Sequence, residues 1–133
     1  MLRPIRKADL EMILSWRNQP FVRESMFNKH KISRKEHFEW YEKIINDKTK
    51  SYFIYGTVET PSLGVVYFDA IDFKNRFATW GFYTGNCAPP GTGTLMAIDA
   101  IDLAFKKIKL KELKALVLKT NLRSWIFYGF ICC

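Results

Sequence analysis

An α+β fold is what this sequence predicts, on three observations. Two helical patterns lie near the N-terminus, three strand-like runs follow them, and a Gly-x-Gly turn then opens an apolar helix. The 133 residues are 48% hydrophobic and 16% aromatic, which is ample for one buried core and unlike a disordered tail.

The elements follow in order. Leu2 to Ile5 reads as a first strand, and Lys7 to Arg17 as a helix with Leu10, Ile13 and Leu14 on one face. Ser33-Arg34-Lys35-Glu36 is a capping box, in which the Ser33 hydroxyl and the Glu36 carboxylate each accept the other residue's backbone N–H. It opens a helix to about Asn46 that turns His37, Tyr41 and Ile44 to one side, flanked by Phe38 and Ile45. Tyr52 to Val58, Leu63 to Ile71 and Arg76 to Thr84 are rich in aromatic and β-branched residues and are separated by Thr60-Pro61-Ser62 and by Asp72 to Asn75. These predict an antiparallel meander. The next helix, beginning near Leu95, is expected to set Thr94, Ile98, Ile101, Phe105 and Ile108 against the sheet, with Ala97 and Ala104 beside them and Asp99, Asp102 and Lys106 opposite. Lys114 to Leu118 reads as a fifth strand and Asn121 to about Tyr128 as a last short helix. With no repeat, linker or low-complexity stretch, residues 1–133 are expected to form one domain.

Composition narrows the function. No apolar run approaches the roughly 20 residues that cross a bilayer, and Met1-Leu2-Arg3-Pro4-Ile5-Arg6 lacks the apolar segment of a secretion signal, so the expectation is a cytoplasmic protein. Cys87 stands alone and Cys132 and Cys133 are adjacent, a pattern that suits free thiols and neither a disulfide framework nor a zinc site. The 21 basic residues against 13 acidic ones give +8, which suits an anionic partner. Lys106, Lys107, Lys109, Lys111 and Lys114 cluster around the end of the Gly-x-Gly helix, where a solvated helix terminus explains them equally well.

The motif with chemical content is Ala88-Pro89-Pro90-Gly91-Thr92-Gly93-Thr94, between the aromatic strand Thr79-Trp80-Gly81-Phe82-Tyr83-Thr84 and a helix. Residues without a β-carbon let a ligand approach the backbone, and the first N–H groups of a helix point at an anion that the helix dipole favours. A tight turn is the plainer reading of the same spacing. A dinucleotide fingerprint is excluded, because Met96 stands where its third glycine belongs; a Walker loop is excluded because Gly93 is followed by Thr94 and Leu95, not by Lys and Ser or Thr. Neither a His-Cys-carboxylate group for a metal nor a Ser-His-Asp arrangement is visible in the sequence.

This order of elements resembles the GCN5-related N-acetyltransferase (GNAT) family, whose pyrophosphate loop, Arg/Gln-x-x-Gly-x-Gly/Ala, is similar to Ala88-Pro89-Pro90-Gly91-Thr92-Gly93. The family's last helix, Asn-x-x-Ala/Ser-x-x-Phe/Leu-Tyr, is similar to Asn121, Ser124, Phe127 and Tyr128. The resemblance implies an acyl-CoA N-acyltransferase fold, with a mixed, mainly antiparallel sheet flanked by helices, and acetyl-CoA as co-substrate with no metal. Within the family, Leu14-Ser15-Trp16-Arg17-Asn18, Met26, Glu36-His37 and Trp80-Gly81-Phe82-Tyr83 look like members that acetylate the 4-amino group of a UDP-linked 4-amino-4,6-dideoxy sugar in pseudaminic acid biosynthesis, which serves flagellin glycosylation. The Trp-Arg-Asn segment also occurs in acetyltransferases of ribosomal protein N-termini, the alternative acceptor. A basic nucleic-acid-binding module is the alternative of another class, and the placement of most aromatics in strand alternation, where core burial explains them, argues against it.

Roles follow from the resemblance. Phe82, Tyr83 and Thr84 would present backbone groups to the pantetheine arm; Gly91, Thr92, Gly93 and Thr94 would hold the pyrophosphate; Asn121 and Ser124 would meet the cofactor. Tyr128 would be the general acid, since a phenol of ordinary pKa near ~10 can protonate a departing thiolate at neutral pH. Arg17, Met26, His37 and Tyr83 would bind the acceptor, whose partner class is a UDP-amino-sugar rather than nucleic acid or membrane, in a possible homodimer. Asp69 and Thr79 are weaker catalytic candidates, Asp69 taking the amine proton through water or serving only as a solvated carboxylate. Two departures bear on activity. Ala88 replaces the loop's Arg or Gln, with Pro89 and Pro90 offering no N–H to phosphate. After Tyr128 the family continues into a further hairpin of strands, so the domain is expected to be C-terminally shortened, with that hairpin missing and the product poorly soluble or partner-dependent.

Overall fold

A computed structural model describes residues 1–115. Leu2–Pro4 forms β1, a single tight turn at Lys7–Asp9 leads into α1 (Leu10–Arg17), and α2 (Pro20–Glu24) and α3 (Arg34–Ile44) follow. Then come β2 (Ser51–Tyr55), β3 (Gly64–Asp72), β4 (Phe77–Thr84), α4 (Thr92–Asp102) and β5 (Glu112–Lys114). The sheet order is β1-β2-β3-β4-β5, antiparallel except for the parallel pairing of β4 with β5. The antiparallel meander expected from the sequence is present, with strand ends shifted by one to three residues.

Strand alternation divides the sheet into two faces. Tyr55, Val66, Phe68, Ala78 and Trp80 pack with Met96, Ala97, Ala100 and Ala104 of the α4 segment. On the other face, Ile54 and Val65 meet Ile13 and Trp16 of α1, with Tyr52 and Tyr83 at the margin. The expected α4 face is corrected here. Met96, Ala97, Ala100 and Ala104 are buried, while Thr94, Leu95, Ile98 and Phe105 are exposed. Alanines let the helix axis come close to the pleated surface, and their small size hides that role from a reading that weighs apolar bulk. After Asp102 the helix widens into a π-helical turn, Leu103–Lys107, closed by the Ile108 N–H donating to the Leu103 carbonyl.

Local chemistry fixes the remaining entries. The Ser33 hydroxyl accepts from the Glu36 N–H at 3.1 Å and the Glu36 carboxylate accepts from the Ser33 N–H at 3.2 Å, the capping box read in the sequence. Arg3 grips the buried Asp9 through two nitrogens at 2.7 and 2.8 Å, pinning β1 to the start of α1. That guanidinium holds the Asp9 carboxyl below its ordinary range. Pro20 starts α2, a helix not expected from the sequence because five residues are too few to show a 3.6-residue period. Among the described residues no helix is long and apolar enough to cross a membrane.

Candidate functional site

Two features converge near the end of β4. The first is the start of α4. Gly91 adopts φ +88°, a left-handed conformation that glycine takes without strain, and serves as the N-cap. The Thr92 N–H donates to the Pro89 carbonyl at 3.2 Å and its hydroxyl does so at 2.7 Å, while the Leu95 N–H donates to Gly91. Gly93 and Thr94 lie between, and among the described residues no acceptor meets their N–H groups. Among the described residues, two helix-terminal donors therefore lack an acceptor, on a turn kept free of side chains by Gly91 and Gly93. A β-carbon at Gly93 would stand 3.4 Å from the Phe82 ring. A turn with this geometry could receive an anion at these two N–H groups.

The second feature is a cavity of about 340 Å³ on the α1–α3 face of the sheet, with Arg17 from α1, Met26, Asn28 and Ile32 from the α2–α3 connection, and His37 and Trp40 from α3 in its wall. Its floor is Tyr52, Tyr67 and Tyr83, one from each of three neighbouring strands. Of the expected acceptor residues, Arg17, Met26, His37 and Tyr83 all line this one space. Trp40, Tyr52 and Tyr67 were not anticipated. The signal for Tyr52 and Tyr67 was period-two alternation, which puts Tyr67 and Asp69 of β3 on the face of Thr79, Gly81 and Tyr83 of β4.

The cavity is lined largely by aromatic rings. His37 stacks on Trp40 with centroids 5.1 Å apart, Trp40 meets Tyr52 edge-on at 4.9 Å, and Tyr52 stacks with Tyr67 at 5.4 Å. Burial, reinforced by the neighbouring phenols, pushes the Tyr52 and Tyr83 hydroxyls far above their ordinary range, and burial also raises Tyr67. All three stay neutral. His37 is buried, and desolvation lowers its pKa against the opposing pull of the Leu10 carbonyl and Glu11. Its Nε2 donates to the Leu10 carbonyl at 2.8 Å, so in the neutral ring Nδ1 is a hydrogen-bond acceptor.

Arg17 brings charge into this setting. Its Nη2 donates to the Asn28 carbonyl at 2.9 Å, while Nη1 is buried and has no hydrogen-bond partner among the described residues. A guanidinium N–H left unpaired among the described residues, in a cavity wall, calls for a ligand acceptor. The one carboxylate in the lining, Glu36, is engaged by the Ser33 N–H and by His30 Nε2 at 2.9 Å. The Gln19 amide donates to both the Trp16 carbonyl at 2.9 Å and the Thr84 carbonyl at 3.2 Å, so the end of α1 that bears Arg17 is tied to the end of β4 that bears Tyr83.

Asp69 and Thr79 sit farther along the same face, outside the cavity lining. The Asp69 carboxylate pairs with Lys50 at 2.6 Å and accepts the Ala70 N–H, and the Thr79 hydroxyl donates to the Asp69 carbonyl at 3.0 Å. Asn121, Ser124 and Tyr128 lie outside the described residues, as do Cys132 and Cys133. Cys87 is an exposed free thiol. Among the described residues no three His, Cys, Asp or Glu side chains are grouped to hold a metal ion.

Comparison with known proteins gives a consistent result. Residues 1–128 match the family described as "Acetyltransferase (GNAT) domain". A curated relative, the acetyltransferase PseH of Campylobacter jejuni, is 29% identical over 127 residues, which is 93% of this chain and 76% of the relative. Among solved structures, the spermidine N-acetyltransferase of Vibrio cholerae, in complex with CoA and spermine, superimposes with a TM-score of 0.86 at 22% identity, covering 98% of this chain and 78% of that one. The Campylobacter jejuni N-acetyltransferase PseH superimposes with a TM-score of 0.75 at 23% identity, covering 98% and 84%. At such identities the structural likeness speaks for the fold.

Proposed function

We infer, for a chain that belongs to the GNAT acetyltransferase family and is an acetyl-CoA-dependent N-acetyltransferase, that the amine it acetylates is the 4-amino group of a UDP-linked 4-amino-4,6-dideoxy sugar. The observation that carries this reading is the unpaired, buried Nη1 of Arg17 in the cavity wall. An anionic acceptor such as a nucleotide diphosphate would satisfy it with a charge-assisted hydrogen bond. A polyamine, the substrate named for the Vibrio cholerae relative, is a polycation; it would face that guanidinium, with the lone lining carboxylate already engaged. The neutral phenols of Tyr67 and Tyr83 add donors for an oxygen-rich ligand, and the aromatic walls suit a deoxy sugar and a base. The likeness to the curated PseH relatives points the same way.

Acetyl-CoA supplies the acetyl group on a thioester, whose carbon–sulfur bond breaks as the new carbon–nitrogen bond forms. The turn suits such a cofactor, because Gly93 and Thr94 leave two N–H groups without acceptors among the described residues, beside Gly91 and Thr92. Those amides would hold its pyrophosphate. The backbone of Phe82, Tyr83 and Thr84 would align the pantetheine arm along β4, with Asn121 and Ser124 beside it. Burial among the tyrosines would favour the uncharged, nucleophilic form of the acceptor amine. The amine gives up one proton to solvent water as the bond forms, Tyr128 would donate one to the sulfur, and the phenolate would regain a proton from solvent, so the exchange balances.

Acetyl-CoA consumption measured against the UDP-4-amino sugar, spermidine and a ribosomal N-terminal peptide tests this directly. Turnover of the nucleotide sugar is expected. Turnover of spermidine in its place would overturn the reading.

A further inference from the structure

Asn18 belongs to no catalytic role assigned above, and its side chain makes an unusual pair of bonds. Nδ2 donates to the Ile32 carbonyl at 2.9 Å, and Oδ1 accepts the Ile32 N–H at 2.7 Å. One amide thus satisfies both backbone groups of a single residue fourteen positions away, as a neighbouring strand would. Asn18 can do this because it caps α1, its own N–H donating to the Leu14 carbonyl at 3.1 Å, which holds its backbone rigidly.

The tether matters because of what it holds. Residues 25–33 join α2 to α3 without a helix or strand of their own, yet they supply Met26, Asn28 and Ile32 to the cavity. Arg17 holds this segment at the Asn28 carbonyl, and His30 bonds to the Asn28 side chain and to Glu36. Those contacts involve exposed groups. Asn18 supplies the two partly buried bonds, at the point where the segment turns into α3. Asparagine is specified by chemistry: aspartate has no donor for the Ile32 carbonyl, and glutamine is one methylene too long for the same cap.

We propose that Asn18 is the positioning residue of the acceptor site, holding segment 25–33 as its second wall and keeping Arg17 turned inward. The proposal rests on the acceptor reading given above. Asn18→Ala is expected to raise KM for the UDP-4-amino sugar roughly tenfold or more, as misplaced binding groups do, while KM for acetyl-CoA stays as in the wild type. Asn18→Asp, which keeps the acceptor and loses the donor, is expected to fall between. An unchanged sugar KM, or an equal rise in both constants, would overturn it. A second measurement needs no substrate and no variant. Hydrogen exchange on the wild-type protein is expected to show the Ile32 amide protected well beyond the amides of Phe27 and Lys29, and exchange at the unprotected rate would sink the proposal. If the nucleotide sugar is not a substrate of the wild type, the functional reading fails while this exchange test still decides the tether.

Discussion

Tyr67 lies across Gly81. A β-carbon on residue 81 would fall inside contact distance of the Tyr67 phenol oxygen, so the cavity floor exists because β4 has no side chain at that position. Gly81→Ala is expected to push the Tyr67 ring out of register with Tyr52, at a cost of about 1–3 kcal/mol typical of overpacking. Thermal unfolding and acceptor kinetics should both register it, with KM for acetyl-CoA little affected. Tyr67→Phe separates the two effects, since it keeps the ring and removes only the hydroxyl. Its expected outcome is wild-type stability with a weaker acceptor KM.

Arg17 would trade stability for recognition. Its Nη1, without a partner among the described residues, carries a desolvation penalty of about 1–3 kcal/mol, offset by a charge-assisted Nη2 bond to the Asn28 carbonyl of similar size. Arg17→Met keeps the stem's packing and removes both terms. The free variant is expected to melt no lower than the wild type, and acceptor binding followed by calorimetry is expected to collapse. A large fall in melting temperature would show that the guanidinium is a structural group.

Acid sensitivity should trace to His37. Burial depresses its pKa, so the unfolded chain binds a proton at a higher pH than the folded one. The stability this contributes is complete above the unfolded value near ~6.5 and is lost as pH falls from there toward the depressed folded value. Glu11 and Arg17 on α1, Glu36 on α3 and the neutral phenols of Tyr52, Tyr67 and Tyr83 surround it. Asp9, held low by Arg3, contributes in the same direction in a separate window, below its ordinary value of 3.8. His37→Gln keeps a donor for the Leu10 carbonyl and does not titrate. Melting curves between pH 7 and 5 are expected to fall more steeply for the wild type than for the variant.

What could be read beforehand was local. The Ser33–Glu36 box announces α3 because both partners lie within one turn, and Gly91 announces its own left-handed cap. Arg17, Met26, His37 and Tyr83 were singled out by resemblance, and only folding shows them around one space. The buried face of α4 was legible only in part: Ile101 and Ile108 pack against the core and Ala97 and Ala104 are buried, whereas Ile98 and Phe105 are exposed and Ala100 marks close approach by the absence of bulk. Tyr52 and Tyr67 escaped because alternation in a strand looks the same whether a residue faces a core or a cavity, and Gly81 was the overlooked clue. The Asn18 tether spans fourteen residues and has no sequence period at all.

The start of α4 offers the cleanest test of the cofactor site. Thr94 occupies the third helical position, where its N–H has no acceptor among the described residues, and Gly93 before it has no β-carbon to collide with a proline ring. Thr94→Pro therefore deletes one N–H at a place where a helix tolerates proline, and the fold is expected to keep its melting temperature. If that N–H holds a pyrophosphate oxygen, the variant loses a hydrogen bond to a charged group, about 1.5–3 kcal/mol, or roughly ten- to a hundredfold in affinity for coenzyme A. Titration calorimetry with coenzyme A reads this without any acceptor present. Unchanged binding by a folded variant would move the pyrophosphate away from this turn, and with it the proposed alignment of the thioester along β4.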